Sequence, residues 1–232
     1  MIGSALLEAL RRLASFDPDL YRIIGLSLQI SGTALLLASL LGVPLGAWLA
    51  LSRFRLKQQV VNVLYALMGL PPVVVGLLVY LLLSRSGPLG GLGLLFTPTA
   101  MVVAQFLLAL PIVLGLSMVA IDSLDPALAR EATALGASPR QVSWLLIAEA
   151  RRGIFAAVVT ALGRVLAEVG AVMLVGGNIK GFTRVMTTAI VLETRQGEFE
   201  QALALGFVLV LLALAVNLLL GAVQRGGRAR VE

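Results

Sequence analysis

The sequence predicts an all-α integral membrane protein with five transmembrane helices, and three observations carry that prediction. Hydrophobic residues make up 59% of the 232, charged residues only 13%, and mean hydropathy is +1.00; an ordinary soluble chain is about a quarter charged. Five stretches are long and apolar enough to cross a bilayer, which takes about 20 residues of helix. The one long polar interruption, between Ile121 and Ile154, carries helix start and stop signals and no sign of a soluble domain. Composition also excludes chemistry. With no Cys and no His, the chain has no disulfide framework, no thiolate metal site and no imidazole base. A G-x-x-x-x-G-K-[ST] phosphate loop is absent too, so no ATP hydrolysis and no enzyme activity is expected of this chain.

Taken in order, residues 1–20 read as a surface helix. Leu6, Ala9, Leu10 and Leu13 share one face, opposite Glu8, Arg11 and Arg12, the pattern of a helix lying in the interface. Arg11-Arg12 follows the apolar residues where a secretory leader would place it before them, and Asp17-Pro18 breaks the run. The membrane domain occupies 21–222, with spans at about 23–51, 60–83, 98–121, 154–177 and 201–222, followed by a basic tail at 223–232. Pro71, Pro72 and Pro111 interrupt spans two and three and are expected to kink them. The Gly87–Gly93 run reads as an external turn. Gly32, Gly42, Gly46, Gly163, Gly170, Gly176 and Gly177 read as helix-packing positions. In 178–200 the apolar core VMTTAIVLE is too short to span, so a re-entrant or interfacial helix on the outer side is expected.

Basic residues set the orientation. A cytoplasmic C-terminus places ten inside (Arg53, Arg55, Lys57, Arg130, Arg140, Arg151, Arg152, Arg225, Arg228, Arg230) against seven outside (Arg11, Arg12, Arg22, Arg85, Lys180, Arg184, Arg195). The N-terminus is then outside and the 122–153 interruption cytoplasmic. The net charge of +6 lies in short loops with no basic stripe among aromatics, so it marks membrane orientation and not nucleic-acid binding.

That interruption predicts two short helices. Asp125 is a cap before Pro126 at the first helical position. Gly136 suits a left-handed end, Ser138-Pro139 repeats the start signal, and Gln141–Arg152 carries the second helix. The pair forms an elbow suited to docking a soluble partner.

Two further groups are candidates for a translocation pathway. Arg164 and Glu168 are four residues apart in span four, one turn of a helix. Arg164 falls roughly 15 Å past Ile154, near the bilayer centre. A charge there must face protein or water. Two readings stand: Arg164 attracts an anion while Glu168 limits its hold, or the two neutralise each other at a subunit interface. Asn178, Thr183, Thr187 and Thr188, with the Gly176-Gly177 N–H groups, offer neutral hydrogen bonds to an oxyanion. Otherwise Thr183 caps a short helix and the rest satisfy backbone groups.

The run Glu131-Ala132-Thr133-Ala134-Leu135-Gly136-Ala137-Ser138 resembles the cytoplasmic coupling loop of binding-protein-dependent ABC transporter permeases. Glu131 lies one residue closer to the glycine than in the usual pattern, and Ala148-Glu149 replaces the terminal Leu-Pro. Segments 27–50, 69–90 and 175–206 together look like the permease subunit of tungstate-type ABC importers, with molybdate and sulfate permeases as relatives. This resemblance implies a type I importer fold whose coupling elbow docks through Glu131, Ala132, Gly136, Ala137 and Ser138. It implies a homodimer in the inner membrane, two cytoplasmic ATP-binding cassette subunits that use ATP and magnesium, and an extracytoplasmic oxyanion-binding protein. This chain itself would carry no cofactor. Its rivals are an ion-coupled secondary transporter, against which stand the odd span count and the lack of internal repeats, and a non-transporting membrane scaffold.

Overall fold

The structure is a computed structural model that describes residues 15–226 continuously, together with Gly3, Leu7, Arg11 and Ala14. The expected surface helix at 1–20 therefore falls mostly outside the described residues, as does the tail from 227 onward. Ten α-helices and one 3-10 turn are found among the described residues. They are α1 (Pro18–Leu51), α2 (Lys57–Met68), α3 (Pro72–Leu83), α4 (Pro98–Asp122), α5 (Pro126–Ala134), α6 (Pro139–Glu149), α7 (Arg151–Leu166), α8 (Gly170–Gly176), α9 (Met186–Gln196) and α10 (Phe199–Gly226), with the turn at Gly90–Leu92.

Three of the expected spans are single helices, α1, α4 and α10, and two are broken pairs, α2 with α3 and α7 with α8. The Asp17-Pro18 pair, expected to end an apolar run, starts α1. Asp17 Oδ1 accepts the N–H groups of Asp19 at 2.9 Å and Leu20 at 3.3 Å, a cap with proline just inside. The break after α2 follows from the double proline. A residue before proline is pushed out of the helical region, and Pro71, preceding Pro72, sits at φ −62°, ψ 125°. Pro111 does not end its helix: α4 runs through it for 25 residues. The helix α9 fills the expected short segment in 178–200.

The chain divides into two compact units, one of 1–34, 71–105 and 163–232, the other of 35–70 and 106–162. In the first, α9 packs on α10. Leu20, Met186, Ala189, Ala204, Leu205 and Val208 form its core cluster. Here also α3 meets α8 so closely that a Cβ on Gly76 would lie 2.6 Å from Ala171 Cα. In the second, Leu49, Val61, Leu64 and Met118 form one cluster and Ala47, Ile121 and Ala150 another. Gly46 admits the Leu114 carbonyl and Ser117. The small-residue reading thus holds at Gly42, Gly46, Gly170, Gly176 and Gly177, each with a close neighbour, but not at Gly32 or Gly163, where nothing lies within 4 Å. Of the long helices α4 is the interior one. Its most apolar window is 56% buried, against 33% for α1 and 22% for α10, whose outward Leu36, Leu40, Leu211 and Leu214 suit lipid.

Gly76→Val should lower thermal stability by about 2 kcal/mol, the usual scale for overpacking. Gly206→Ala, in α10 with open space around it, should leave it equal or higher. Size-exclusion profiles of heated, detergent-solubilised protein measure both.

Candidate functional sites: a capped helix pair and a pinned helix break

The polar interruption folds as its residue signals require. Asp125 Oδ1 accepts the Ala127 N–H at 2.8 Å, which starts α5 with Pro126 in its first turn. At the other end Gly136 N donates to Thr133 O and Ala137 N to Ala132 O, both at 3.0 Å. Gly136 has φ +89°. These paired bonds and the left-handed glycine make a Schellman ending. The next helix starts at Pro139, two residues before the expected Gln141, and Gln141 Oε1 accepts the Ser138 N–H at 2.7 Å. It ends at Glu149, short of the expected Arg152. The pair α5–α6 packs on itself and exposes Glu131, Gly136 and Ser138, with Ala132 and Ala137 half-buried.

Two features of this region escape a sequence reading. Leu135 is 90% exposed and Trp144 72%, so the helix pair carries two large apolar side chains on its surface. Beside α5 lies a cleft of about 520 Å³ lined by Arg53, Phe54, Lys57, Asp122, Asp125, Pro126 and Ala129 among others. Lys57 Nζ donates to Ala50 O at 2.7 Å and lies 4.0 Å from Asp122 Oδ1. A cation there meets the unsatisfied carbonyl end of α1. In the sequence it reads only as a loop charge.

The second group is arranged differently from its helical spacing. Helix α7 ends at Leu166, and α8 starts at Gly170 after a bend of 58°. Arg164 is in the last turn of α7 and exposed, whereas Glu168 lies in the break and is 4% exposed. The expected shared face is therefore absent, and among the described residues no ion pair joins the two. Glu168 Oε1 instead accepts the Ala171 N–H at 2.8 Å, a donor that the start of α8 leaves free. Gln105 Nε2 reaches the Val165 carbonyl at 3.0 Å, and Thr187 Oγ1 donates to the Glu168 carbonyl at 2.8 Å.

The other hydroxyls are also engaged within the chain. Thr183 Oγ1 accepts the Ile179 N–H at 2.9 Å and donates to Gly176 O at 2.5 Å. Thr188 Oγ1 accepts the Val185 N–H at 3.1 Å at the start of α9. Thr183, Thr187 and Thr188 are all buried. They pin the backbone around α8 and α9 and do not stand free for an oxyanion. Asn178 is left-handed at φ 51°, with its Oδ1 buried and unpartnered. Gln105, which holds the break from α4, carries no sequence signal beyond being a polar residue in an apolar helix. Groups of three or more acidic residues able to hold a metal ion are absent among the described residues.

The match to known proteins covers nearly the whole chain. The model of the family described as binding-protein-dependent transport system inner membrane component matches residues 42–230. The tungstate uptake system permease protein TupB of Peptoclostridium acidaminophilum is 45% identical over 223 residues, covering 96% of this chain and 98% of that protein. A protein of the same name from Campylobacter jejuni is 39% identical, covering 94% and 91%. The molybdenum transport system permease protein ModB of Azotobacter vinelandii is 31% identical, covering 80% and 87%.

Thr183→Val and Thr187→Val should each destabilise the protein by about 1–3 kcal/mol, since each strands buried backbone groups. The exposed Arg164→Gln should stay within about 0.5 kcal/mol. Thermal unfolding in detergent compares the three, and equal losses would mean that Arg164 too is a packing residue.

Proposed function

Because the chain belongs to the family of binding-protein-dependent transport system inner membrane components, we propose that it is the transmembrane subunit of an ABC importer that carries tungstate into the cytoplasm. The observation that carries the substrate is the near-full-length match to relatives named as tungstate uptake permeases. A second reading, molybdate, rests on the more distant ModB relatives.

In this reading two copies of the chain form the pathway, with the N-terminus outside and the C-terminus in the cytoplasm. A binding protein delivers the dianion from outside. Two ATPase subunits beneath use ATP and magnesium, so the chain supplies the pathway and its partners supply the energy. The pair α5–α6 is the coupling elbow. Glu131, Ala132, Gly136, Ala137 and Ser138 form its turn, and Leu135 and Trp144 are the apolar anchors that enter the ATPase. The capped ends make the pair stiff enough to pass on a push, since its turn is closed by backbone bonds. Arg164, exposed on α7, attracts the dianion, and the Asn178 amide offers it a neutral contact that does not trap it. ATP-driven closure below and the loaded binding protein above each favour one state of the pathway, and that differential binding is the coupling.

The complex in lipid with its binding protein should hydrolyse ATP faster on addition of tungstate than of sulfate. Stimulation by molybdate alone would move the assignment to the second reading, and no response to any oxyanion would overturn the import function. Gly136→Asp, forced to φ +89°, should cut substrate-stimulated hydrolysis at least about tenfold while insertion in the membrane stays normal. Full stimulation in that variant would remove α5–α6 from the coupling route.

A further inference from the structure

The break between α7 and α8 borders a small cavity of mixed lining, about 10 Å³ in volume, the room of roughly one water-sized sphere. Its polar lining is Ser27 and Ser31 from α1, Gln105 from α4, Glu168 from the break and Thr187 from α9. All five lie between 3% and 7% exposed. Their hydrogen bonds leave a one-sided remainder. Gln105 gives its amide N–H to Val165 O, but its Oε1 is buried and has no partner. Ser27 Oγ donates to Ile23 O at 2.7 Å and accepts the Met186 N–H at 2.9 Å. The Thr187 hydroxyl proton is taken by Glu168 O. Glu168 accepts one backbone N–H on Oε1, and among the described residues no cationic side chain pairs with it. The polar part of the lining thus carries oxygens with lone pairs to offer, one of them a carboxylate, and Ile30, Leu166, Val185, Met186 and Leu209 close the apolar part.

We propose that this cavity binds a single monovalent cation of about the size of sodium, held by the Glu168 carboxylate, Gln105 Oε1 and the hydroxyl oxygens of Ser27, Ser31 and Thr187. Hard cations take oxygen ligands, and buried charges are either paired or coordinate a metal ion. One carboxylate among neutral oxygens balances one positive charge, which favours a monovalent ion over a divalent one. A water molecule would satisfy Gln105 Oε1 but leave the buried carboxylate uncompensated. The single-sphere volume favours a small ion stripped of its own water. Bound there, the ion ties the break to α1, α4 and α9 at once, so it stiffens the joint that the three side-chain bonds already hold.

The test uses the full-length chain purified in lipid nanodiscs, with whatever subunits accompany it. It is melted in sodium, lithium, potassium or choline chloride at constant ionic strength, and retention of radioactive sodium is counted. The expected result is a Tm at least about 3 °C higher in 100 mM sodium than in choline, with one sodium retained per chain. Glu168→Gln and Gln105→Leu should abolish both the shift and the retention. Ser31→Ala, the mildest change, should weaken sodium affinity several-fold, which keeps the test decisive if the other two fail to fold. Equal melting in sodium and choline with no sodium retained means that water alone occupies the cavity, and the proposal falls. A full sodium shift surviving in Glu168→Gln places the ion elsewhere and overturns it equally.

Discussion

Inside a bilayer, a backbone N–H or C=O that leaves its helix must find a partner within the protein, because the lipid offers none. The rest of this structure depends on that constraint. The two interrupted spans meet it differently: at the α2–α3 break Gly69 and Leu70 donate to carbonyls of α2 itself, whereas the α7–α8 break is completed by polar side chains. At the break between α7 and α8, Gln105 takes that place at Val165, Thr187 at the Glu168 carbonyl and the Glu168 carboxylate at Ala171. These three bonds, with that from the Glu168 N–H to the Val165 carbonyl at 3.2 Å, hold the backbone at the bend. They fix both the direction of α8 and the position of α9, whose buried start packs against α10.

The fold was legible where the signal is local. Caps and glycines act over three or four residues, so Asp125-Pro126, Gly136 and Ser138-Pro139 placed α5 and α6 to within a few residues, and the double proline located the break before α3. Length and hydropathy located the three long helices and the two bent pairs because composition alone sets them. Pro111 shows the limit of the local rule: α4 passes through it, as membrane helices tolerate where neighbours compensate for the missing hydrogen bond.

The site was legible only in part, and the reason is physical. Helical spacing put Arg164 and Glu168 on one face, but it assumes that the helix continues, and no proline or glycine between 164 and 168 warns that it ends at Leu166. The break is bonded by Gln105 and Thr187, distant in sequence, which a one-dimensional periodicity cannot register. The same applies to the threonines. A hydroxyl near the mouth of a pathway has the same letter whether it faces a ligand or a carbonyl, and here the packing of α8 and α9 decides for the carbonyl. Lys57 shows the reverse: a residue that counts only as loop charge turns out to close the carbonyl end of α1.

On the import reading these assignments bear on how a dianion is moved without being caught. Were Glu168 free on the α7 face, it would cancel the field of Arg164 and make the region neutral. With Glu168 turned into the protein and bonded to Ala171, the exposed guanidinium keeps its attraction for an anion. Wherever a water-filled path reaches it, its hold is limited by hydration, since a solvated charge interacts through a high dielectric and is screened by salt. That weak, unpaired attraction suits passage better than a desolvated ion pair, from which release would be slow. The buried carboxylate then belongs to the architecture of the joint. The two charges that look like a couple in the sequence are separated in the structure, one exposed at the end of α7 and one buried in the bend.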